Sequence, residues 1–221
     1  MNPKSLESKW QKKWTEAKLF ESTPDSGQEK YFVNCPYPYM NGYLHLGHAF
    51  TYLRADMVSR YKRMKDKNVL FPFAFHCTGT PIVAAAQRVK EGEETQIKAL
   101  EQMGLSKTLI KKFSKPEEWT KHFPKKAIQD LKKFGASVDW RRSFITTSLN
   151  PPYDKFIRWQ FNKLLSRKNL IKGTFPVVWC PKRETVVGDH DRLSGEGETP
   201  QEYTLLKFKG ENDYLVAATL R

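Results

Sequence analysis

Two histidines, His45 and His48, stand three residues apart at the end of the segment CPYPYMNGYLHLGH, residues 35–48. The segment follows the apolar run Tyr31–Val33, and its prolines and the Asn41-Gly42 pair predict a tight loop that leads into a helix. Residues three apart share one face of a helix. The N-terminus of a helix attracts phosphate through its free N–H groups and its dipole. Two imidazoles at this place could therefore bind phosphate oxygens and stabilise charge that develops during phosphoryl or nucleotidyl transfer.

Two other interpretations of the histidine pair stay open on spacing alone. The two side chains could simply cap the helix or lie on its surface. They could also belong to a zinc site, but the spacing lacks the i,i+4 geometry of helical metalloprotease motifs and no partner ligand lies close in the sequence. The surrounding residues have to distinguish between these interpretations.

The loop is positioned by alternating helix and strand patterns. We predict an amphipathic helix over residues 5–20, a strand at Tyr31–Val33, a helix from about Tyr43 to Met64, a buried strand over 68–75 and a helix that begins near Thr80. Strands that alternate with helices predict parallel strand pairing in an α/β, doubly wound sheet.

The helix after the loop carries two kinds of residue at helical spacing. One set is apolar and is expected to face the core, namely Leu46, Phe50, Leu53, Met57 and Met64. The other set is basic and is expected to face outward, namely Arg54, Arg60, Lys62 and Arg63.

The remaining chain divides into a helical and a β-rich part. Residues 94–135 predict three short lysine-rich helices separated by Gly104 and Pro124, and a further apolar-faced helix opens at Asn150. From residue 173 four strand-like runs follow, separated by glycine-rich turns. We therefore predict three segments, 1–93, 94–172 and 173–221. The last strand reaches Arg221 without a stop signal, so we expect the chain to be an N-terminal portion of a longer protein.

The composition points to a polyanionic partner. The 221 residues carry a formal net charge of +14 with a pI near 9.6, which favours nucleic acid, although a solvated lysine-rich surface is the alternative. No apolar run is long enough for a membrane span, and the N-terminus is too polar for a signal peptide. Three distant cysteines argue against a disulfide framework and favour a reducing compartment, the cytoplasm.

The histidine segment resembles the HIGH motif of the class I aminoacyl-tRNA synthetases, in the form typical of the leucyl enzymes of Archaea and the eukaryotic cytosol. Five further stretches are similar to the same branch: VLFPFAFHCTGTPI, AIQDLKKFGASVDWRRSFITT, YDKFIRWQFNKL, GEGETPQEYTLLK and LVAATLR. The resemblance covers nearly the whole chain. Isoleucyl and valyl enzymes share the HIGH motif but differ in the residues before it and in the HCTGTP segment, so they are the closest alternative specificity.

The resemblance implies a fold and a reaction. The fold would be the first half of a Rossmann-type nucleotidyl-transferase domain, a helical segment packed on it, and the β-rich start of an inserted editing domain. The reaction would be ATP-dependent activation of leucine to leucyl-adenylate, followed by transfer to tRNA(Leu). The implied partners are leucine, ATP with Mg²⁺, tRNA(Leu) and the missing C-terminal remainder of the enzyme, without a membrane.

The resemblance also implies the site residues. His45 and His48 would contact the phosphates, Gly47 would let adenine or ribose approach the helix, and Asn41 and Gly42 would shape the turn. The whole ATP-binding segment would be Pro38, Tyr39, Met40, Asn41, Gly42, Tyr43, Leu44, His45, Leu46, Gly47 and His48.

The same resemblance places two more residues, Tyr37 and His76, in the amino-acid pocket. Ordinary packing is the alternative for Tyr37, and a position at the edge of the core is the alternative for His76. Bacterial-type members carry an aspartate at the position of His76 to pair with the substrate ammonium, and here that carboxylate is missing.

Zinc is not expected, because Cys180 and His190 have no further ligands nearby. Trp140, Arg141 and Arg142 are expected to be structural and to tie the helical segment to the sheet, with the two arginines solvated or in salt bridges. Contact of the arginines with tRNA is the alternative. No KMSKS-like loop occurs in the sequence, so we expect no appreciable leucine-dependent ATP–pyrophosphate exchange from this chain alone. A non-catalytic RNA-binding module derived from a synthetase is the alternative function.

Overall fold

The computed structural model describes residues 3–174, 176–181, 184–187 and 203–219. Their contacts divide the chain into two compact units, residues 1–172 and 173–221. His190, the GEGETP stretch and the last two residues of LVAATLR lie outside the described residues. The assignment of catalytic, connecting and editing roles to the three predicted segments stays a prediction.

The first unit alternates short strands with helices and contains one 3-10 turn, Trp140–Arg142. In chain order its elements are α1 (Pro3–Glu16), β1 (Lys30–Phe32), α2 (Leu46–Met64), β2 (Asn68–Leu70), β3 (Ala74–Phe75), α3 (Thr80–Glu91), α4 (Glu94–Gln102), α5 (Lys107–Lys112), α6 (Pro116–Phe134), β4 (Phe144–Ile145) and α7 (Pro151–Ser166).

The strands of the first unit pair in parallel, as the alternation of helices and strands predicts. β1 pairs with β2, with Lys30 opposite Asn68, and β3 pairs with β4, with Ala74 opposite Phe144. The predicted strand over 68–75 is therefore two short strands with different partners. Pro72 lies between them, where its missing N–H would interrupt a continuous ladder. The loop that carries the two histidines leaves the carboxyl end of β1, the edge at which α/β sheets bind ligands.

The core of the first unit is built from aromatic rings. Phe71, Phe73 and Phe75 on the β2–β3 segment are almost fully buried, as are Trp119 and Phe123 on α6. The indole Nε1–H of Trp119 donates to the Phe113 carbonyl at 2.7 Å, so burial of the ring leaves no unpaired donor. This core fixes the sheet against α6 and holds the histidine loop between them.

The prediction that the apolar residues of α2 face the core is wrong. Its apolar stripe is exposed, with Leu46 at 88% and Met57 at 67% of full exposure, and the buried α2 residues are Tyr52, Asp56 and Ser59. Apolar spacing reveals a stripe on a helix but not which face the rest of the chain covers.

Two of the three arginines predicted to face outward on α2 instead bind the loop after α6, whereas Arg54 is exposed as predicted. Arg60 donates to the Gly135 carbonyl at 2.5 Å, and Arg63 donates to Ser137 Oγ at 2.8 Å and to its carbonyl at 3.0 Å. Asp56 accepts from the Ser137 N–H at 2.5 Å. A polar face can be buried here because the loop provides a partner for each charged group.

Helix boundaries and apolar faces differ from the predictions at three other places. The first helix ends at Glu16 instead of residue 20. Pro124 lies inside α6 and does not end it, because buried residues on both sides of the proline pack that helix into the core. The apolar residues of α7 are exposed, including Phe156 and Phe161.

The predicted structural role of the DWRR stretch is confirmed. Asp139 is completely buried and accepts from the Ser22 N–H at 3.1 Å and from Arg141 Nη2 at 2.7 Å. Arg142 lies 3.5 Å from the same carboxylate, and Arg141 also donates to the Ser22 carbonyl at 2.9 Å. These contacts join the segment after α6 to the loop before β1.

The described residues of the second unit form two antiparallel strand pairs. β5 (Trp179–Cys180) pairs with β6 (Thr185–Val186), and β7 (Thr204–Lys209) pairs with β8 (Tyr214–Thr219). The strands lie within the four predicted runs. Their role as the start of an editing domain stays a prediction. None of the helices in the described ranges combines the length and apolar character needed to cross a membrane.

Candidate active site

The loop between β1 and α2 is pinned to the end of β3. The Pro38 carbonyl accepts from the His76 N–H at 2.8 Å, and the Met40 N–H donates to the His76 carbonyl at 3.1 Å. Tyr39 and His76 thus form a parallel bridge. The Met40 side chain is fully buried, so it anchors the loop from below.

His45 and His48 form a reciprocal cap at the start of α2. His45 is the N-cap residue, and its Nδ1 accepts from the Gly47 N–H at 3.1 Å. The Nδ1 of His48 accepts from the His45 N–H at 3.2 Å. The two ring centroids lie 4.0 Å apart with an interplanar angle of 47°. The histidines are therefore helix caps and close neighbours at the same time.

The cap assigns the tautomer of both rings. A nitrogen that accepts a hydrogen bond carries no proton, so each neutral imidazole has its proton on Nε2. Each ring then offers an Nε2–H donor that the cap does not use. The Gly47 N–H already donates to His45, so it is not available to an anion at the helix N-terminus. The Nε2–H groups of the two rings are the donors that take its place.

The environment keeps His48 neutral. Burial lowers the pKa of the His48 imidazole below its ordinary value of 6.5, and the neighbouring His45 lowers it further. The His48 ring centroid lies 5.9 Å from that of the buried Tyr52, one helical turn further along. The Nε2–H of the neutral ring remains a hydrogen-bond donor that can bind a phosphate oxygen.

Gly47 is required by the geometry of the cap. A Cβ atom at this position would lie 2.9 Å from His45 Cε1 and 3.1 Å from His45 Nδ1. Any side chain would therefore displace the first imidazole. The role implied by the resemblance, close approach of adenine or ribose at Gly47, stays a prediction.

The rest of the predicted ATP-binding segment divides between surface and packing. Asn41 and Leu46 are exposed, whereas Tyr43 packs edge-on against Phe123 at 5.4 Å between ring centroids. Leu44 is half-buried against the core. Gly42 lacks the positive φ of a left-handed turn residue.

The two residues predicted for the amino-acid pocket, His76 and Tyr37, contact different aromatic side chains. His76 stacks on Tyr39 with ring centroids 4.0 Å apart, and its Nδ1 lies 3.3 Å from Thr78 Oγ1. Tyr37 contacts Phe73 and Phe144, at 6.3 and 5.9 Å between centroids. Burial lowers the pKa of His76. Burial raises the pKa of Tyr37, and the neighbouring Cys35 side chain raises it further.

Sequence reasoning missed three residues beside this site. Tyr52 follows His48 by four positions, a spacing that would have placed it under the imidazole. Thr78 lies two residues after His76 and could have been found by the same local reasoning. His122 on α6, whose Nε2 lies 3.4 Å from the Tyr43 hydroxyl, had no signal in the sequence because it comes 79 positions later.

The described part of the chain contains no group of three or more His, Cys, Asp or Glu side chains that could hold a metal ion. The histidine loop, residues 34–45, and the first turn of α2 carry no carboxylate side chain. Mg²⁺ prefers carboxylate and phosphate oxygens, so these residues offer it no protein ligand.

Comparisons with known proteins identify the relatives of this chain. The family model for tRNA synthetases class I (I, L, M and V) matches residues 9–203. The leucine–tRNA ligase of Aeropyrum pernix is 50% identical over 216 residues, which are 97% of this chain and 22% of that protein. The cytoplasmic leucine–tRNA ligase of Pongo abelii is 40% identical, and the match covers 99% of this chain and 24% of that protein.

A solved structure shares the fold. The LeuRS of Agrobacterium radiobacter K84, in its ternary complex LeuRS-tRNA-LeuAMS, matches with a TM-score of 0.61 and 25% identity over 82% of this chain and 20% of that chain. The chain therefore spans less than a quarter of the length of these relatives. The predicted α/β class and the predicted family are both confirmed. With a family match over residues 9–203, this chain belongs to the class I tRNA synthetases (I, L, M and V).

Proposed function

We propose that this chain provides the HIGH-motif part of the amino-acid activation site of a leucine–tRNA ligase. The leucine–tRNA ligases to which it is 40% and 50% identical support that specificity over the isoleucyl and valyl alternatives. The observation that carries the proposal is the reciprocal cap, because it leaves two imidazoles side by side, each with an Nε2–H donor that the cap does not use.

In the proposed reaction a carboxylate oxygen of leucine attacks the α-phosphorus of ATP. The bond from that phosphorus to the bridging oxygen breaks, and pyrophosphate leaves with the electron pair, which gives leucyl-adenylate. Negative charge grows on the phosphate oxygens as the new bond forms. The Nε2–H groups of His45 and His48 donate to these oxygens, and fixed donors of this kind lower the barrier by electrostatic stabilisation.

The leucine ammonium is proposed to meet His76. Burial keeps that imidazole neutral near pH 7, so it can accept a hydrogen bond although it cannot supply the charge of a carboxylate. The accepting atom would be Nε2, and in the tautomer that this requires Nδ1–H would donate to Thr78 Oγ1, 3.3 Å away. Tyr37, half-buried beside Phe73 and Phe144, would form an apolar wall.

The remaining parts of the proposal rest on the relatives. Transfer of the leucyl group to tRNA(Leu), a cytoplasmic location, and catalytic completion by residues outside these 221 follow from the relatives' names and length. ATP would bring Mg²⁺ with its phosphates, and no step above is routed through that ion.

The affinity of the purified chain for ATP tests the proposal. Hydrogen bonds to charged groups contribute about 1.5–3 kcal/mol, so His48→Ala should weaken ATP binding roughly tenfold and the double variant His45→Ala/His48→Ala still further. His48→Asn should retain much of the affinity, because its amide can accept from the His45 N–H and still donate to a phosphate.

The outcomes separate the proposal from the non-catalytic alternative. Unchanged ATP affinity in the double variant would refute the role of the two rings. A chain that binds tRNA but not ATP, and whose tRNA affinity survives the double substitution, would instead be an RNA-binding module.

A further inference from the structure

An aromatic groove lies at the other end of α2 from the histidines. It runs between α1 and residues 132–141, and consists of two adjoining cavities of about 630 and 350 Å³ that share Gln11, Trp14 and Gly135. Sites for drug-sized ligands occupy about 300–1,000 Å³. We refer to these two cavities together as the α1 groove.

The distance along α2 separates the α1 groove from the candidate active site. The guanidinium of Arg60 lies 5.4 Å from the ring of Trp14 in the groove wall. Arg60 follows His48 by twelve positions, which is about 18 Å along a helix. The α1 groove is therefore a separate surface and not an extension of the histidine site.

Aromatic rings form the walls of the α1 groove. Trp14, Phe20 and Trp140 line the larger cavity, and Trp10 and Phe134 line the smaller one. Trp10 and Phe134 are each about half exposed, at 48% and 47%. Exposed aromatic faces in a row are the feature on which unpaired bases stack.

The rim of the α1 groove carries more cations than carboxylates, namely Lys12, Lys18, Lys132, Lys133 and Arg141 against Glu7, Glu16 and Glu21. Lys12 and Arg141 lie on it but pair with Glu16 and Glu21, at 3.8 and 3.2 Å.

Three further rim lysines, Lys18, Lys132 and Lys133, have no carboxylate within ion-pair distance among the described residues. Two of the rings have an ammonium over them, since Lys13 Nζ lies 5.0 Å from the Trp10 centroid and Lys132 Nζ lies 5.8 Å from the Trp140 centroid. A base that stacks on either ring takes the place of that ammonium, which then becomes available to a phosphate. This surface is therefore complementary to a phosphate backbone whose bases are free to stack.

We propose that the α1 groove binds single-stranded nucleic acid, with bases on the rings of Trp10 and Trp140 and phosphates on Lys18 and Lys132. A duplex fits this surface less well, because base pairing and stacking hide the faces of its bases. An acidic peptide would match the rim charge but would leave the rings without flat partners. The inference does not depend on the activation reaction proposed above.

Binding of a fluorescently labelled, single-stranded RNA of about 12 nucleotides to the purified chain tests the proposal. Loss of one stacking ring should weaken binding roughly tenfold in Trp10→Ala, and Trp10→Phe should restore most of the affinity. In Lys18→Gln/Lys132→Gln the slope of log K against log salt should fall by roughly 1.4, since each phosphate contact contributes about 0.7 for single strands.

Matched controls make the outcomes decisive. Lys90→Gln/Lys107→Gln removes the same charge from exposed positions outside the groove. This control variant should bind the RNA with an affinity within about twofold of that of the unmodified chain, because it loses net charge but no phosphate contact. ATP affinity should not change in Trp10→Ala, which separates this site from the histidines. DNA of the same sequence shows whether the 2′-hydroxyl matters.

Three results would overturn the proposal. The first is equal binding of RNA by the unmodified chain and Trp10→Ala. The second is tighter binding of a hairpin duplex than of the single strand. The third is displacement of the RNA by an acidic peptide at lower concentration than by unlabelled RNA, which would make the groove a peptide site.

Discussion

His45 and His48 each have two functions at once, since one ring nitrogen caps α2 and the other is left for a ligand. The main-chain bonds to both Nδ1 atoms fix the tautomers, which a surface histidine would leave free. The glycine between them allows this arrangement, because its missing Cβ is the space that the His45 ring occupies.

Gly47→Ala should weaken ATP binding without unfolding the chain. The new Cβ would lie 2.9 Å from His45 Cε1, so the imidazole has to move away from its cap position. We expect a loss of roughly tenfold, the effect of losing one hydrogen bond to a charged group, measured by calorimetric titration with ATP.

The matched control for this prediction is Gly42→Ala in the same loop. A Cβ there would lie 3.2 Å from Met103 Cε, the end of a flexible side chain, which can shift by a few tenths of an ångström. If Gly42→Ala weakens ATP binding as much as Gly47→Ala, the effect comes from the loop and not from the His45 ring.

Helix α2 is held in the first unit by polar contacts on its buried face. Asp56, Arg60 and Arg63 bind the loop at residues 135–137, so the helix that begins at the histidines is anchored by its second half. Asp56 forms an ion pair with Arg60, whereas Arg63 donates to the neutral groups of Ser137. Removal of Asp56 therefore leaves the buried Ser137 N–H and part of the half-buried Arg60 guanidinium without an acceptor.

Asp56→Ala should lower the free energy of unfolding by about 3 kcal/mol. The substitution leaves the Ser137 N–H and the Arg60 Nε–H without their acceptor, from which they now lie 2.5 and 2.6 Å away. Urea unfolding followed by tryptophan fluorescence measures the change.

Asp154→Ala is the control for that experiment, since Asp154 and Arg158 form the same i,i+4 pair on α7 with the arginine 73% exposed. Exposed pairs contribute about 0–1 kcal/mol. Equal destabilisation by the two substitutions would show that the contacts of Asp56 with Arg60 and Ser137 contribute no more to stability than an exposed ion pair does.

The whole molecule combines a large positive charge with three imidazoles that resist protonation. Burial is the first cause of the lowered pKa of His48, His76 and His122, helped by His45 at the first and by Lys126 at the third. In the unfolded chain all three should titrate near 6.5.

The free energy of unfolding should therefore fall as the pH drops from about 7.5 to about 5.5. Above the unfolded pKa the rings are neutral in both states and contribute no pH dependence. Below it the unfolded chain takes up protons that the folded chain does not, so the unfolded state is favoured. Urea midpoints across this interval measure the effect, and His122→Gln should make the dependence shallower. A midpoint that rises on acidification would contradict the lowered pKa values.

The elements and the histidine loop could be located from local patterns. Helix and strand periodicity, prolines and the Asn41-Gly42 pair are properties of neighbouring residues, so the first helix, the strand at Tyr31–Val33 and the position of His45 and His48 at the start of α2 were predicted. The division of the 68–75 strand into β2 and β3, and the short strand β4, were not predicted. The resemblance at the HIGH segment led to the right family for the same reason, because the matching residues are contiguous.

Which residues are buried, and which distant residues they contact, could be read only from the tertiary structure. The predicted core stripe of α2 is exposed because Ser137, 74 positions after Arg63, provides acceptors for the opposite face. Likewise the α1 groove brings Trp10 close to Phe134 across α1 and α6. Periodicity reports which residues lie on a common face of one helix, whereas the free energy that selects the buried face comes from contacts with distant segments.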